Sequence, residues 1–305
     1  DTATGVAKSM GLCAIGMSDA FMRLAPDFIV VLGDRYELLP VCSTALVMRI
    51  PIVHISGGDI TEGAIDNEVR NAVSQMASLH FPGTEESAKR LEKMGIARDR
   101  IVVVGEPGLD AFRKLPLLSR SEISQRLGLN ISDKWILLTY HPETRKKTEE
   151  NLAVLRVLVQ ELLEGTSAQI VATYANADEG GRMINIYLEE ISSKERARFK
   201  VSKSLGQQMY LSLMKESVMI AGNSSSGIVE APLLGISVLN IGDRQKGRHL
   251  CSNILSCSYT RQEIHEAISS LAKNGFPKHE PDYYYGDGHA GERIASELKA
   301  LYVKR

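Results

Sequence analysis

The chain has little that would place it in a specialised class. Its charges nearly cancel, with 36 Lys and Arg against 37 Asp and Glu and a net charge of −1. That balance offers neither the basic face that nucleic acid needs nor a polybasic patch for a membrane surface. The four cysteines, Cys13, Cys42, Cys251 and Cys257, are scattered without CxxC spacing. They exclude a disulfide frame or zinc site and read as small hydrophobes in a reducing cytoplasm. No apolar run approaches the roughly 18 residues of a membrane span, and no signal peptide is visible. There is no GxGxxG after a strand and no GxxxxGK[ST], so neither a nicotinamide cofactor nor a P-loop ATPase is supported. A first methionine is absent too: the chain opens on DTATGVAKSMG, already inside a helical pattern, and the expectation is that residues precede it.

What is present is alternation. Short apolar runs at 28–32, 51–55, 78–81, 100–104, 135–140, 168–174, 217–222 and 237–241 read as strands. Helical patterns such as 36–48, 66–77, 147–164, 181–195 and 206–215 separate them. Near-continuous apolar strands between helices predict an α/β chain with parallel sheets covered on both faces. With 305 residues, two domains are expected. Residues 109–134 look like a connector, with a Pro and an N-cap signal at Ser119 or Ser121. The boundary is placed near 115, giving domains 1–115 and 116–287, and the helix at 288–305 is expected to pack back on the first.

Parallel sheets bind ligands at the carboxyl ends of their strands, and polar residues gather there. After the first run come Asp34 and Arg35; Asp34 is a general base or the N-cap of the next helix. After the second, His54, Gly57 and Gly58 lead to Asp59, Glu62 and Asp66. Those carboxylates do acid/base work, or Asp66 simply pairs with Arg70 one turn on. His141 follows the run at 135–140, and Asn176 and Asp178 follow that at 168–174. After VMIAG, Ser224, Ser225, Ser226 and Gly227 supply hydroxyls and N–H groups at a helix start, an arrangement suited to a diphosphate. Glu230 would repel a phosphate, so a neutral ribose diol is its expected partner. Arg244, Lys246 and Arg248 add positive charge nearby.

Taken in order, GDRYE (33–37), HISGG (54–58), AID with Arg70, TYHPET (139–144), TYANADEGG (173–181) and GNSSSGIVEAP…NIGDRQKGR (222–248) form a set. The sequence resembles the hydrolysing UDP-N-acetylglucosamine 2-epimerases (NeuC-type) of sialic-acid and legionaminic-acid biosynthesis, over essentially its whole length. The resemblance implies a GT-B architecture: two Rossmann-like, doubly wound domains with a cleft between them, the first lacking its N-terminal part here. It implies conversion of UDP-GlcNAc and water to ManNAc and UDP through a 2-acetamidoglucal, without metal or redox cofactor. It further implies a cytoplasmic homodimer or homotetramer whose partner is a nucleotide-sugar, not nucleic acid or membrane. By motif, Asp34, Asp66 and His141 fall on catalytic positions, and Arg35, Asn176, Ser224, Ser225, Gly227, Glu230 and Arg244 on substrate-binding ones. Many relatives carry a glutamate at the position of Ser56 or at that of Asp59. Its role is assigned here to Asp59, with Glu62 second. The alternatives are a UDP-linked 2,4-diacetamido-2,4,6-trideoxyglucose as substrate, a non-hydrolysing epimerase, a GT-B glycosyltransferase, or a nucleotide-sugar sensor without catalysis. The GDRYE and GNSSSG runs favour hydrolysis, and glycosyl transfer would leave the clustered carboxylates unexplained.

Overall fold

A computed structural model describes residues 3–60, 65–143 and 145–303. Glu62, the second candidate for the glutamate's role, lies outside the described residues. The chain divides by contact into two compact units. The first takes residues 3–60, Ile65–Pro107 and the tail from Tyr285; the second is Gly108–Tyr284.

The first unit begins with α1 (Ala3–Leu24). It continues through β1 (Ile29–Leu32), α2 (Leu38–Val47), β2 (Ile52–Ile55), α3 (Asp66–Met76), β3 (Leu79–Phe81) and α4 (Glu85–Lys93). The three strands are parallel in the order β1-β2-β3. The run predicted as a strand at 100–104 is a correction. A short 3-10 turn occupies Arg98–Arg100, and only Ile101 bridges to His80, so the segment lies extended beside β3. One face of the sheet packs on α1, α2 and α3 through Phe21, Val31, Cys42, Ile52, Val69 and Val73.

The second unit opens with two short helices, α5 (Ala111–Lys114) and α6 (Arg120–Leu127); Ser119 and Glu122 close a capping box on α6. There follow β4 (Trp135–Thr139), α7 (Thr148–Gly165), β5 (Gln169–Thr173), α8 (Gly181–Lys194), β6 (Phe199–Ser202) and α9 (Gly206–Glu216). Then come β7 (Met219–Gly222), α10 (Ser225–Val229), α11 (Ala231–Leu234), β8 (Ser237–Ile241), β9 (Ile254–Cys257) and α12 (Arg261–Lys273). All six strands are parallel, in the order β6-β5-β4-β7-β8-β9. That is the doubly wound order, and it reverses direction between β4 and β7, the switch point where such sheets open a crevice. Every residue of β4, β5, β7 and β8 is buried, which is why these runs are continuously apolar. One face packs on α7, α8 and α12, the other on α6, α9 and α11. Fully burying each such Ile, Leu or Val contributes about 1.5–3 kcal/mol.

The tail helix α13 (Ala290–Val303) returns to the first unit, where Ala290 and Ile294 pack with Val53, Phe81 and Val104. Among the described residues no helix is long and apolar enough to cross a membrane. The four cysteines are free, Cys42 and Cys251 being buried.

Candidate active site

In the first unit the carboxyl ends of β1 and β2 are joined by an ion pair. Asp34, just past β1, meets the guanidinium of Arg70 on α3, whose side chain is only 2% exposed. Arg70 also donates to the Asp59 carbonyl at 2.8 Å, so one buried cation clasps both strand ends. The sequence leaves Asp66 open as an acid/base group or the partner of Arg70 one turn on; the Arg70 guanidinium also reaches Asp34 at the end of a different strand. Asp34 does not cap α2, whose N-cap is Glu37 without a side-chain bond. Arg35 lies half-exposed against Glu37 (3.5 Å) and over the Tyr36 ring. Asp66 opens α3 in its first turn and is partly buried.

His54 is structural. Its Nε2 donates to the Gly33 carbonyl at 2.9 Å, and its Nδ1 accepts from Ser74 Oγ at 3.0 Å. The bond to Gly33 fixes the backbone immediately before Asp34. Burial, with Arg70 adding to it, lowers the pKa to about 4, so the ring is neutral. Gly58 has φ +80, and a Cβ there would lie 2.2 Å from the Ser87 carbonyl, so the loop before Asp59 admits only glycine. The Asp59 carboxylate accepts from Ser87 Oγ at 2.5 Å, at the start of α4, where Thr84 caps the helix.

The second unit gathers its polar residues at the switch point. Asn223, fully buried after β7, is the hub. Its Oδ1 accepts from the His141 N–H and its Nδ2 donates to the His141 carbonyl, both at 2.8 Å. Its own carbonyl accepts from Arg244 Nη1 (3.2 Å) and Gln245 Nε2 (2.8 Å). One asparagine thus ties the loops after β4, β7 and β8 together. Tyr259 braces the same loops from behind, donating to Glu143 at 3.0 Å and accepting from the Asp243 N–H at 2.7 Å.

His141 Nδ1 accepts from the Asn176 N–H at 3.2 Å, which leaves the ring proton on Nε2. Burial, reinforced by Arg244, pushes its pKa down to about 3. With Nδ1 accepting, the neutral ring has its Nε2–H available as a hydrogen-bond donor. Asn176 therefore meets His141 through its backbone, while its side-chain Oδ1 is buried without a partner.

The serines divide their work. Ser224 is the N-cap of α10, accepting from the Ser226 N–H at 3.3 Å, and Ser226 bonds the Tyr210 hydroxyl. Ser225 is partly exposed on the first turn. Gly227, expected among the ligand-binding residues, has a packing role in the structure. Its N–H donates to Ser224 O at 3.2 Å, and a Cβ would lie 3.0 Å from Val238 Cγ1. Glycine there lets α10 approach the sheet closely. Glu230 joins α10 to α11 in helical conformation; burial raises its pKa to about 7, with Arg248 acting against the rise.

Asn223, Gln245, Tyr210 and Tyr259 are functional-site residues that the sequence reading did not single out. Asn223 and Gln245 lie inside quoted motifs, so their position next to a strand end was the available signal; the tyrosines gave none.

A profile of the family described as UDP-N-acetylglucosamine 2-epimerase matches residues 1–299. The chain is 38% identical to the GDP/UDP-N,N'-diacetylbacillosamine 2-epimerase (hydrolyzing) of Campylobacter jejuni, covering 90% of this chain and 71% of that protein. It is 32% identical to the UDP-N,N'-diacetylbacillosamine 2-epimerase (hydrolyzing) of Legionella pneumophila, covering 98% and 77%. Among solved structures, the UDP-GlcNAc 2-epimerase of Neisseria meningitidis bound to UDP-GlcNAc superposes with a TM-score of 0.80 at 20% identity, over 95% of this chain and 81% of that one. The likeness extends the doubly wound order to the GT-B fold class, and the chain belongs to the UDP-N-acetylglucosamine 2-epimerase family.

Proposed function

We propose that the protein is a hydrolysing 2-epimerase of a UDP-linked 2-acetamido sugar. The observation that carries this reading is the division of chemistry between the two sheets. Paired and clustered carboxylates end the strands of one, and neutral donors with arginine end the strands of the other.

Epimerisation with hydrolysis requires the C1–O bond to break with its electrons leaving on UDP, and the C2 proton to be lost. Water oxygen then adds to C1 and a proton to the opposite face of C2. Any carboxylate is a far weaker base than the carbanion that direct removal of the C2 proton would create. Departure of UDP must therefore run ahead of deprotonation, since positive charge developing at C1 acidifies the C2–H bond. The six-stranded rim serves that departure. His141 Nε2–H, Arg244 and the Ser224–Ser225 turn stabilise negative charge on the diphosphate, while Glu230 accepts from the ribose diol. Asp34, oriented by Arg70, takes the proton from C2, and Asp66 serves as an acid/base partner.

For the sugar, the 38% and 32% relatives favour the 2,4-diacetamido-2,4,6-trideoxyglucose derivative over UDP-GlcNAc. UDP-GlcNAc remains the second reading, because a UDP-N-acetylglucosamine 2-epimerase from Neisseria meningitidis is 30% identical over 87% of this chain. Proton NMR in D2O with each UDP-sugar tests both. A free 2-epimeric sugar deuterated at C2, with UDP released, is expected. A UDP-linked epimer would make the enzyme non-hydrolysing, and an unchanged C2 proton with both substrates would overturn the reading.

A further inference from the structure

Hydrolysis with inversion at C2 moves three protons: one off C2, one onto its other face, and one off the attacking water. Asp34 and Asp66 supply two carboxylates, and Asp59 was expected to be the third. Its geometry is that of a structural group. One carboxylate oxygen is held by Ser87 Oγ at 2.5 Å, against the N-terminal turn of α4, and its carbonyl is held by Arg70.

Another carboxylate stands on the same rim. Glu106 follows the extended segment beside β3, and its Oε2 accepts from Ser56 Oγ at 2.8 Å. Ser56 directly follows β2, so the Glu106 side chain reaches back over the end of β3, which lies between them. The crossing is possible because residue 83 is glycine. A Cβ there would fall 1.9 Å from Glu106 Oε1. Ser56 itself sits at φ +58, an unfavourable backbone conformation for a residue with a side chain. Its N–H is pinned to the Phe81 carbonyl at 2.9 Å, and the Glu106 N–H to the Tyr285 carbonyl at 2.7 Å. Strain at Ser56, a missing side chain at 83 and two backbone anchors all converge on the carboxylate of Glu106, a residue of intermediate burial.

We propose that Glu106 is the third acid/base carboxylate of the sugar half-site, that Ser56 is its positioning residue, and that Asp59 is structural. The proposal rests on the hydrolysing-epimerase reading. Its test therefore starts from wild-type turnover of the UDP-sugar, followed by NMR; a wild type that turns over no UDP-2-acetamido sugar refutes that reading, not this assignment.

Given an active wild type, Glu106→Gln should lower kcat by on the order of 10²-fold or more, with UDP affinity unchanged. It should also remove one limb of the pH–rate profile, and Glu106→Asp should restore part of the rate. Ser56→Ala should lower kcat by about tenfold without altering KM. Asp59→Asn should lower the melting temperature while keeping turnover within a few-fold of wild type. Unchanged UDP binding shows that the Glu106 variants are folded. A Glu106→Gln enzyme within about threefold of wild type overturns the assignment, as does an Asp59→Asn enzyme that binds UDP normally yet is equally impaired.

Discussion

The rims of the two sheets differ in how they hold their polar groups. On the three-stranded sheet, charged side chains meet charged side chains: the buried Arg70 guanidinium faces the Asp34 carboxylate. On the six-stranded sheet, the bonds that tie Asn223, His141 and Asn176 together run between side chain and backbone, and the histidine is neutral. Proton transfer needs groups able to change charge, so the first rim keeps carboxylates partly open to solvent. In the proposed reaction, stabilising a leaving diphosphate needs donors fixed beforehand, and the interlocked loops of the second rim are suited to that.

The largest effect expected from this contrast is at Asp34. Asp34→Asn removes a base and the charge that meets the nearly buried Arg70, so turnover should fall by on the order of 10²–10⁴-fold. UDP affinity, which the proposed function assigns to the other rim, should hold within about twofold by calorimetry. If UDP affinity falls in parallel with the rate, the division between the rims is wrong.

Next is Asn223. Asn223→Ala deletes both bonds to the His141 backbone and leaves a buried N–H and carbonyl unmet, at a cost of about 1–3 kcal/mol each. UDP should bind about tenfold or more weakly. Asn223→Asp keeps the acceptor for the His141 N–H and should lie between the two. Unaltered UDP affinity in the alanine variant would show that the hub is not needed for the nucleotide.

Acid should separate the two units as well. Burial lowers the pKa of His54 and His80 to about 4, and of His141 to about 3, from an ordinary 6.5. Between about pH 6.5 and 4 the unfolded chain binds protons that the folded chain excludes. Stability therefore rises with pH across that window and is lost on acidification. Two of the three histidines belong to the first unit, which should melt first as pH drops from 7 to 4.5 in calorimetric scans. A melting profile flat over that range would contradict the burial of these rings.

How far the sequence showed this contrast follows from the kinds of interaction involved. Fully buried strands such as β4, β5, β7 and β8 leave continuous apolar runs, so they were legible. The strands β6 and β9 were missed because they are edge strands, with mostly half-exposed or exposed residues and no clear apolar signature. The run at 100–104 has the composition of a strand but only one bridging residue, a difference set by tertiary pairing. Asp34, His141 and Ser224 could be picked out because each follows a legible strand. The reach of Arg70 to Asp34, the hold of Asn223 on His141 and the crossing of Glu106 over Gly83 join residues 23 to 82 positions apart. Local periodicity carries no trace of such pairings.

The smallest effect, and the finest test of the contrast, is at Glu230. It is the carboxylate assigned to the ribose, and burial raises its pKa to about 7. A ribose diol donates two hydrogen bonds, which the ionised carboxylate accepts better than the protonated acid. Wild-type KM should therefore fall as pH rises through about 7, by a few-fold to about tenfold. Glu230→Gln resembles the protonated form at every pH, so its KM should stay at the acid-limb value and lose its pH dependence, while kcat changes little. A variant whose kcat drops with KM unchanged would instead move Glu230 into the chemistry, and the six-stranded rim would then carry an acid/base group of its own.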